Sequence, residues 1–145
     1  MAFTPISFNA TDKWSISIVA DIVGSSADFI GSSNTRITFN NAATDSITFK
    51  NESATSVSLN VSKFGGTRRI YLVSQGNGSV QVWVNGFLQG SITNPSNITL
   101  NTIYSSLNAK GKSIRVFNKD LSKSEIEGLD KFLASIYPEH EAALS

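Results

Sequence analysis

The stretch Arg69–Ile92, RIYLVSQGNGSVQVWVNGFLQGSI, limits what this chain can fold into more than any other. Ile70 and Leu72 alternate with Tyr71 and Val73, and Val80, Val82 and Val84 alternate with Gln81, Trp83 and Asn85. A period of two belongs to a strand with one face in a core. Asn77-Gly78 and Asn85-Gly86 tolerate positive φ, so each marks a tight reversal. The stretch therefore predicts three short antiparallel strands. With the valines facing the core, Gln81, Trp83 and Asn85 must face the other way.

The same alternation runs through Trp14–Val23, with Trp14, Ile16, Ile18, Ala20 and Ile22 on one face and Gly24-Ser25-Ser26 ending the run. Further short strands are expected at Asp28–Gly31, Thr35–Asn40, Ser46–Lys50, Ser56–Lys63, Ile98–Leu100 and Ser113–Phe117. Short alternating segments at regular spacing, punctuated by Gly, Asn and Ser, argue for an all-β sandwich. No repeat and no Pro-rich or low-complexity linker divides residues 1–145, which read as one domain.

The chain then changes period. Ser122 stands three residues before Glu125, the spacing at which hydroxyl and carboxylate cap each other's backbone N–H, and Leu121 and Ile126 occupy the positions of a hydrophobic staple. Ile126, Leu129, Phe132, Leu133 and Ile136 follow at helical spacing. Pro138 lacks an N–H and stops the run. One amphipathic helix is expected over about 122–137, laid on a sheet. Gly128 weakens it by about 1 kcal/mol relative to Ala, so packing must hold it.

These segments resemble a known family. The run Val80-Gln81-Val82-Trp83-Val84-Asn85-Gly86-Phe87-Leu88 looks like the "V-x-V-Y-V-N-G-x-L" strand and turn of laminin-G-like and concanavalin A-like domains. Ile114-Arg115-Val116-Phe117-Asn118-Lys119-Asp120-Leu121-Ser122, followed by Glu125-Ile126 and Leu129, is similar to the closing pattern of laminin-G-like domains. The matched stretches span roughly the last half of the chain. The resemblance implies a two-sheet antiparallel jelly roll with one C-terminal helix, usually a binding domain and only sometimes a catalyst.

Composition narrows the function classes. With no cysteine there is no disulfide, thiolate chemistry or Cys-based zinc site. The start MAFTPISFNATDKW has neither a basic opening nor an apolar core of the kind a signal peptide carries, so cytoplasmic synthesis is expected. No stretch approaches the roughly 18 apolar residues of a spanning helix, and no membrane insertion is expected. Net charge is +1, divided unevenly: residues 1–119 hold ten Lys/Arg against five Asp/Glu, and residues 120–145 hold two against six. That pattern reads as a basic sheet body with an acidic helix. The nearest approach to a basic stripe, Lys110, Lys112, Arg115 and Lys119, also suits a solvated edge strand. No nucleic-acid partner is expected.

Candidate chemistry follows from what remains. The two-carboxylate strand of concanavalin A-like glucanases is missing: Asp12, Asp21, Asp28, Asp45 and Glu52 are the acids of the first 119 residues, and no two share a strand at i, i+2 or i+4. The single His140 lies beyond the helix, leaving a triad without its base. No enzymatic activity and no cofactor are expected. A calcium ion, common in the resembled family, could be approached by Asp28 and Asp45 with Asn40 or Asn41, but Asx turns explain these residues without a metal. No metal site is assigned.

Carbohydrate binding needs an exposed aromatic ring flanked by amides, and Trp83 between Gln81 and Asn85 is the best candidate, joined by Tyr71 and Arg69, on the alternate face of their own strand, if the two strands are neighbours. Packing of Trp83 under the helix, a loop or another subunit is the competing explanation. Trp14, on the Ile-rich face, is expected in the core. The expected function is a non-enzymatic interaction module. Composition rich in Ser, Thr, Asn and Gly resembles that of bacteriophage fibre and surface proteins, which points to a virion surface component (decoration or fibre) contacting capsid, tail or fibre proteins in an assembly. A free-standing carbohydrate-binding lectin is the alternative.

Overall fold

The computed structural model describes residues 2–9, 11–22, 26–31, 35–40, 45–51, 57–61, 67–93, 98–103 and 109–137, with side chains described for residues 9, 11–21, 67–93 and 112–137. The elements are β1 (Ala2–Phe8), β2 (Lys13–Ile22), β3 (Ser26–Gly31), β4 (Thr35–Asn40), β5 (Asp45–Asn51), β6 (Val57–Val61), β7 (Thr67–Gln75), β8 (Ser79–Val84), β9 (Phe87–Thr93), β10 (Ile98–Ile103), β11 (Ala109–Phe117) and α1 (Lys123–Ile136). They form a six-stranded sheet, β1-β10-β3-β4-β5-β6, and a five-stranded sheet, β11-β2-β7-β8-β9. Every pairing is antiparallel. The edge strand β9 comes close to β6, and β11 comes close to β3, so the two sheets meet near these strands. This is the expected antiparallel sandwich, with one helix among the described residues.

Register explains the core. Ile16 lies opposite Leu72, which lies opposite Val82; Ile18, Ile70 and Val84 form the next row, and Trp14, Ser74 and Val80 the row before. Directly opposed residues share a face, so one face of the sheet is Ile, Leu and Val. Ile70, Leu72, Val80, Val82 and Val84 have no exposed surface at all. Each such side chain contributes about 1.5–3 kcal/mol on burial. Trp14 is buried as expected, its indole N–H donating to the Asn9 carbonyl at 2.9 Å. Arg68 is also buried on this face, which the alternating pattern did not anticipate.

The opposite face carries α1. Val19, Tyr71, Val73 and Trp83 cluster with Leu121, Ile126 and Leu133, with Phe117, Leu129 and Tyr137 packed against them. The entry to the helix is fixed twice. Buried Ser15 donates to the Lys119 carbonyl at 2.7 Å and accepts from the Leu121 N–H at 2.9 Å, tying the connection to β2. The capping box then forms as expected: Ser122 Oγ accepts from Glu125 N–H at 3.2 Å, and Glu125 accepts from Ser122 N–H at 3.1 Å. Leu121 and Ile126 are both buried, which completes the staple.

The helix face itself departs from the expected stripe. Ile126 and Leu133 are fully buried and Leu129 partly so, but Phe132 and Ile136 are half exposed or more. Asp130 and the Tyr137 carbonyl meet the sheet instead. At 3.6 residues per turn, 126, 130, 133 and 137 share a line, and 132 and 136 fall to one side of it. Pro138 and the Asp28–Asp45 side chains lie outside the described set.

Candidate functional site

The five residues singled out from sequence come together, on the face predicted, beneath α1. Arg69 and Tyr71 lie on β7, Gln81 and Trp83 on β8, and Asn85 begins the turn into β9. Tyr71 is directly opposite Trp83. Asn85 has φ of 52° and Gly86 φ of 86°, which gives the two-residue reversal predicted from Asn-Gly. Asn85 is locked to β7 from both ends: its N–H donates to the Arg69 carbonyl at 2.8 Å, and its side-chain oxygen accepts the Arg69 N–H at 2.9 Å.

An outward, solvent-open ring is not what this arrangement provides. Trp83 is 6 % exposed, Arg69 and Asn85 are 5 % exposed, and Tyr71 is sealed. The physical reason is α1, whose buried line covers this part of the sheet. Trp83 donates its indole N–H to the Gln81 side chain at 3.3 Å, and Gln81 alone of the five remains half-buried.

The residue that organises the site is Asp130, which sequence reasoning missed. Its Oδ1 accepts Arg69 Nε at 2.8 Å and the Tyr71 hydroxyl at 2.6 Å, and its Oδ2 accepts Arg69 Nη2 at 3.3 Å. Arg69 Nη1 donates to the Tyr137 carbonyl at 3.3 Å, at the end of the helix. The fork of the guanidinium meets the carboxylate along two bonds, the geometry in which Arg is strongest. The signal for Asp130 was present in the sequence: it stands four residues after Ile126 and three before Leu133, on their face.

Burial, and then the bond to the Asp130 carboxylate, hold the Tyr71 phenol far above its ordinary value. Tyr71 thus keeps its proton at any ordinary pH, and Asp130 has each oxygen engaged. The cluster offers neither an available base nor an activated nucleophile. Among the described residues, no group of three or more His, Cys, Asp or Glu could hold a metal ion. What the arrangement does is fasten α1 and the Asn85-Gly86 turn to one another.

No protein-family model matches the chain, and no curated protein sequence matches it significantly. Solved structures do match. One is from work on the dependence of botulinum neurotoxin type C cell entry on two ganglioside molecules: TM-score 0.60, 20 % identity, covering 84 % of this chain and 36 % of that one. The binding domain of botulinum neurotoxin DC, solved in complex with rat synaptotagmin II, matches with TM-score 0.60 and 17 % identity, covering 85 % of this chain and 36 % of that one. A heptameric SAP-like pentraxin from Limulus polyphemus matches with TM-score 0.60 and 10 % identity, covering 89 % of this chain and 76 % of that one. The chain spans about a third of the length of the toxin chains. At these identities the likeness is one of fold: an antiparallel jelly-roll sandwich of the kind these binding domains contain.

Proposed function

We propose that this chain is a non-enzymatic recognition module of the lectin type, binding glycan on a partner molecule or surface. The observation that carries this reading is the fold likeness to botulinum neurotoxin structures from work on gangliosides and from a complex with rat synaptotagmin II. The described chemistry agrees, since the polar cluster fastens structure and holds no reactive group. In this reading Arg69, Tyr71, Trp83 and Asn85 form the rigid wall behind the binding surface. Half-buried Gln81, with exposed Ser91 opposite it on β9, supplies amide and hydroxyl contacts at the margin.

The test is an array of neutral and sialylated oligosaccharides, including those of gangliosides, probed with the intact chain. Saturable binding that free oligosaccharide competes away is the expected result. An array without a binder above background contradicts the lectin reading.

A second reading, a structural component of an assembly such as a virion surface, keeps one supporting observation. Among the described residues, two pairs of large apolar side chains stand exposed, Phe87 with Leu88 and Phe132 with Ile136, and Val116 is 38 % exposed. The similar solved structures favour the lectin reading over it.

A further inference from the structure

The dipeptide Asn-Gly occurs twice in the chain, once at each end of β8: Asn77-Gly78 before it and Asn85-Gly86 after it. Gly78 and Gly86 share a φ of 86°. Neither has a Cβ to shield its amide nitrogen, and an asparagine side chain just before such a nitrogen can close on it. The two sites have the same chemistry within reach and opposite surroundings.

Asn77 stands exposed in the turn between β7 and β8. Its side chain folds over its own turn, Oδ1 accepting the Ser79 N–H at 3.1 Å. The ring closed by that bond contains the Gly78 nitrogen, so Cγ of Asn77 and this nitrogen are held in one small loop open to water. Asn85 is 5 % exposed, and its Oδ1 reaches away from its own turn to the Arg69 N–H at 2.9 Å. Its backbone N–H is bonded to the Arg69 carbonyl at 2.8 Å. Gly86 stands close to the Asp130 carboxylate, which opposes negative charge developing on the Gly86 nitrogen.

From this we infer that Asn77 is a site of spontaneous modification, losing its amide to give aspartate and isoaspartate, and that the fold protects Asn85 from the same reaction. The Gly78 nitrogen gives its proton to a base in solvent and attacks Asn77 Cγ. The new N–Cγ bond forms as the Cγ–Nδ2 bond breaks, and Nδ2 leaves as ammonia. Water then opens the resulting succinimide at either carbonyl. One opening restores the backbone with an aspartate side chain; the other routes the backbone through the side-chain carbon as isoaspartate. Water is the sole co-reactant and ammonia the sole by-product. Either product adds one negative charge, which takes the formal net charge from +1 to zero. The inference goes beyond glycan recognition and does not depend on it.

Prolonged incubation of the intact chain in mildly alkaline buffer tests it, followed by ion exchange and by mass mapping of chymotryptic peptides. Cleavage after Trp83 puts Asn77 and Asn85 in different peptides. In the folded chain Asn77 should convert at least about tenfold faster than Asn85, the ratio set by a local opening cost of about 1.4 kcal/mol at Asn85. In urea the two should convert at similar rates, which separates the effect of the fold from that of the dipeptide. Isoaspartate, detected by enzymatic methylation, should appear in the Asn77 peptide. Asn77→Gln, a change at an exposed position, should abolish the early acidic form. The inference is overturned if Asn77 keeps its amide, if Asn77 and Asn85 convert alike in the folded chain, if the Asn77 product holds no isoaspartate, or if Asn77→Gln leaves the acidic form in place.

Discussion

Gly86 stands so near Asp130, across the boundary between sheet and helix, that a Cβ placed on it would lie 3.0 Å from Asp130 Oδ2. Gly86 also has φ of 86°, where an L side chain is strained. Gly86→Ala therefore meets two penalties, one in its own backbone and one against a carboxylate already bonded to Arg69. The expected loss is about 1–2 kcal/mol of unfolding free energy, read as a lower urea midpoint with an unchanged slope. A parent-like midpoint would mean that α1 stands further from the turn.

Asp130→Ala leaves the buried Arg69 guanidinium without its carboxylate and the Tyr71 hydroxyl without its acceptor. Breaking a buried pair from one side costs about 3–5 kcal/mol, a large share of the roughly 5–15 kcal/mol that holds an ordinary domain. Replacing both charges, Arg69→Met with Asp130→Leu, is expected to come out closer to the parent than either single change. Equilibrium denaturation of the four proteins checks this. Additive losses would show that the two residues do not act as a pair.

Tyr71 gives a pH dependence at the alkaline end. Its folded-state pKa is raised above the ordinary 10.0, by burial first and by Asp130 second. The contribution to stability is therefore complete below that ordinary value and declines as pH rises above it, where the unfolded chain ionises and the folded chain does not. Melting temperature should fall between about pH 9 and pH 11 more steeply in the parent than in Tyr71→Phe. Parallel curves would contradict the sealed phenol.

Much of this was legible in the sequence because it depends on local rules. Val80–Val84 had to alternate, Asn85-Gly86 had to turn, and Ser122 with Glu125 had to cap a helix. Thr35–Asn40 was bounded correctly. β1 (Ala2–Phe8) was not recognised as a strand, since Pro5 and its mixed residues show no clean period of two. The side chains of the Trp83 face were placed on the correct side. Packing under the helix, the reading set against an open ligand platform, is what buries Trp83. Which residue of the helix would meet Arg69 and Tyr71 was not legible. Alternation says which way a side chain points and nothing about what comes to cover it. Asp130 was missed for a related reason: an apolar stripe is sought in apolar residues, and a carboxylate within it gains its meaning only from Arg69, sixty-one positions away in the chain.

The capping box makes a fourth prediction. Ser122→Ala should cost about 1 kcal/mol by leaving the Glu125 N–H unbonded. Glu125 has its pKa lowered from the ordinary 4.5, chiefly by the Lys119 bond and then by the Ser122 N–H. Its contribution is present above that ordinary value and is lost as pH falls through the lower folded one. Glu125→Gln should remove the corresponding acid-side slope of the melting curve. An unchanged slope would place the capping interaction elsewhere.

The most direct test of the central claim is a nuclear magnetic resonance titration of the intact chain with the best oligosaccharide from the array, following the backbone amides and the Trp83 indole N–H together. A glycan-binding module whose Trp83 face is sealed by α1 predicts saturable shifts at surface amides, Gln81 and Ser91 among them, a shift of the Trp83 indole signal no larger than its bond to Gln81 carries, and an unchanged α1 amide pattern. No saturable shift with any oligosaccharide, or a large shift of the Trp83 indole accompanied by loss of the α1 amide pattern, would contradict it.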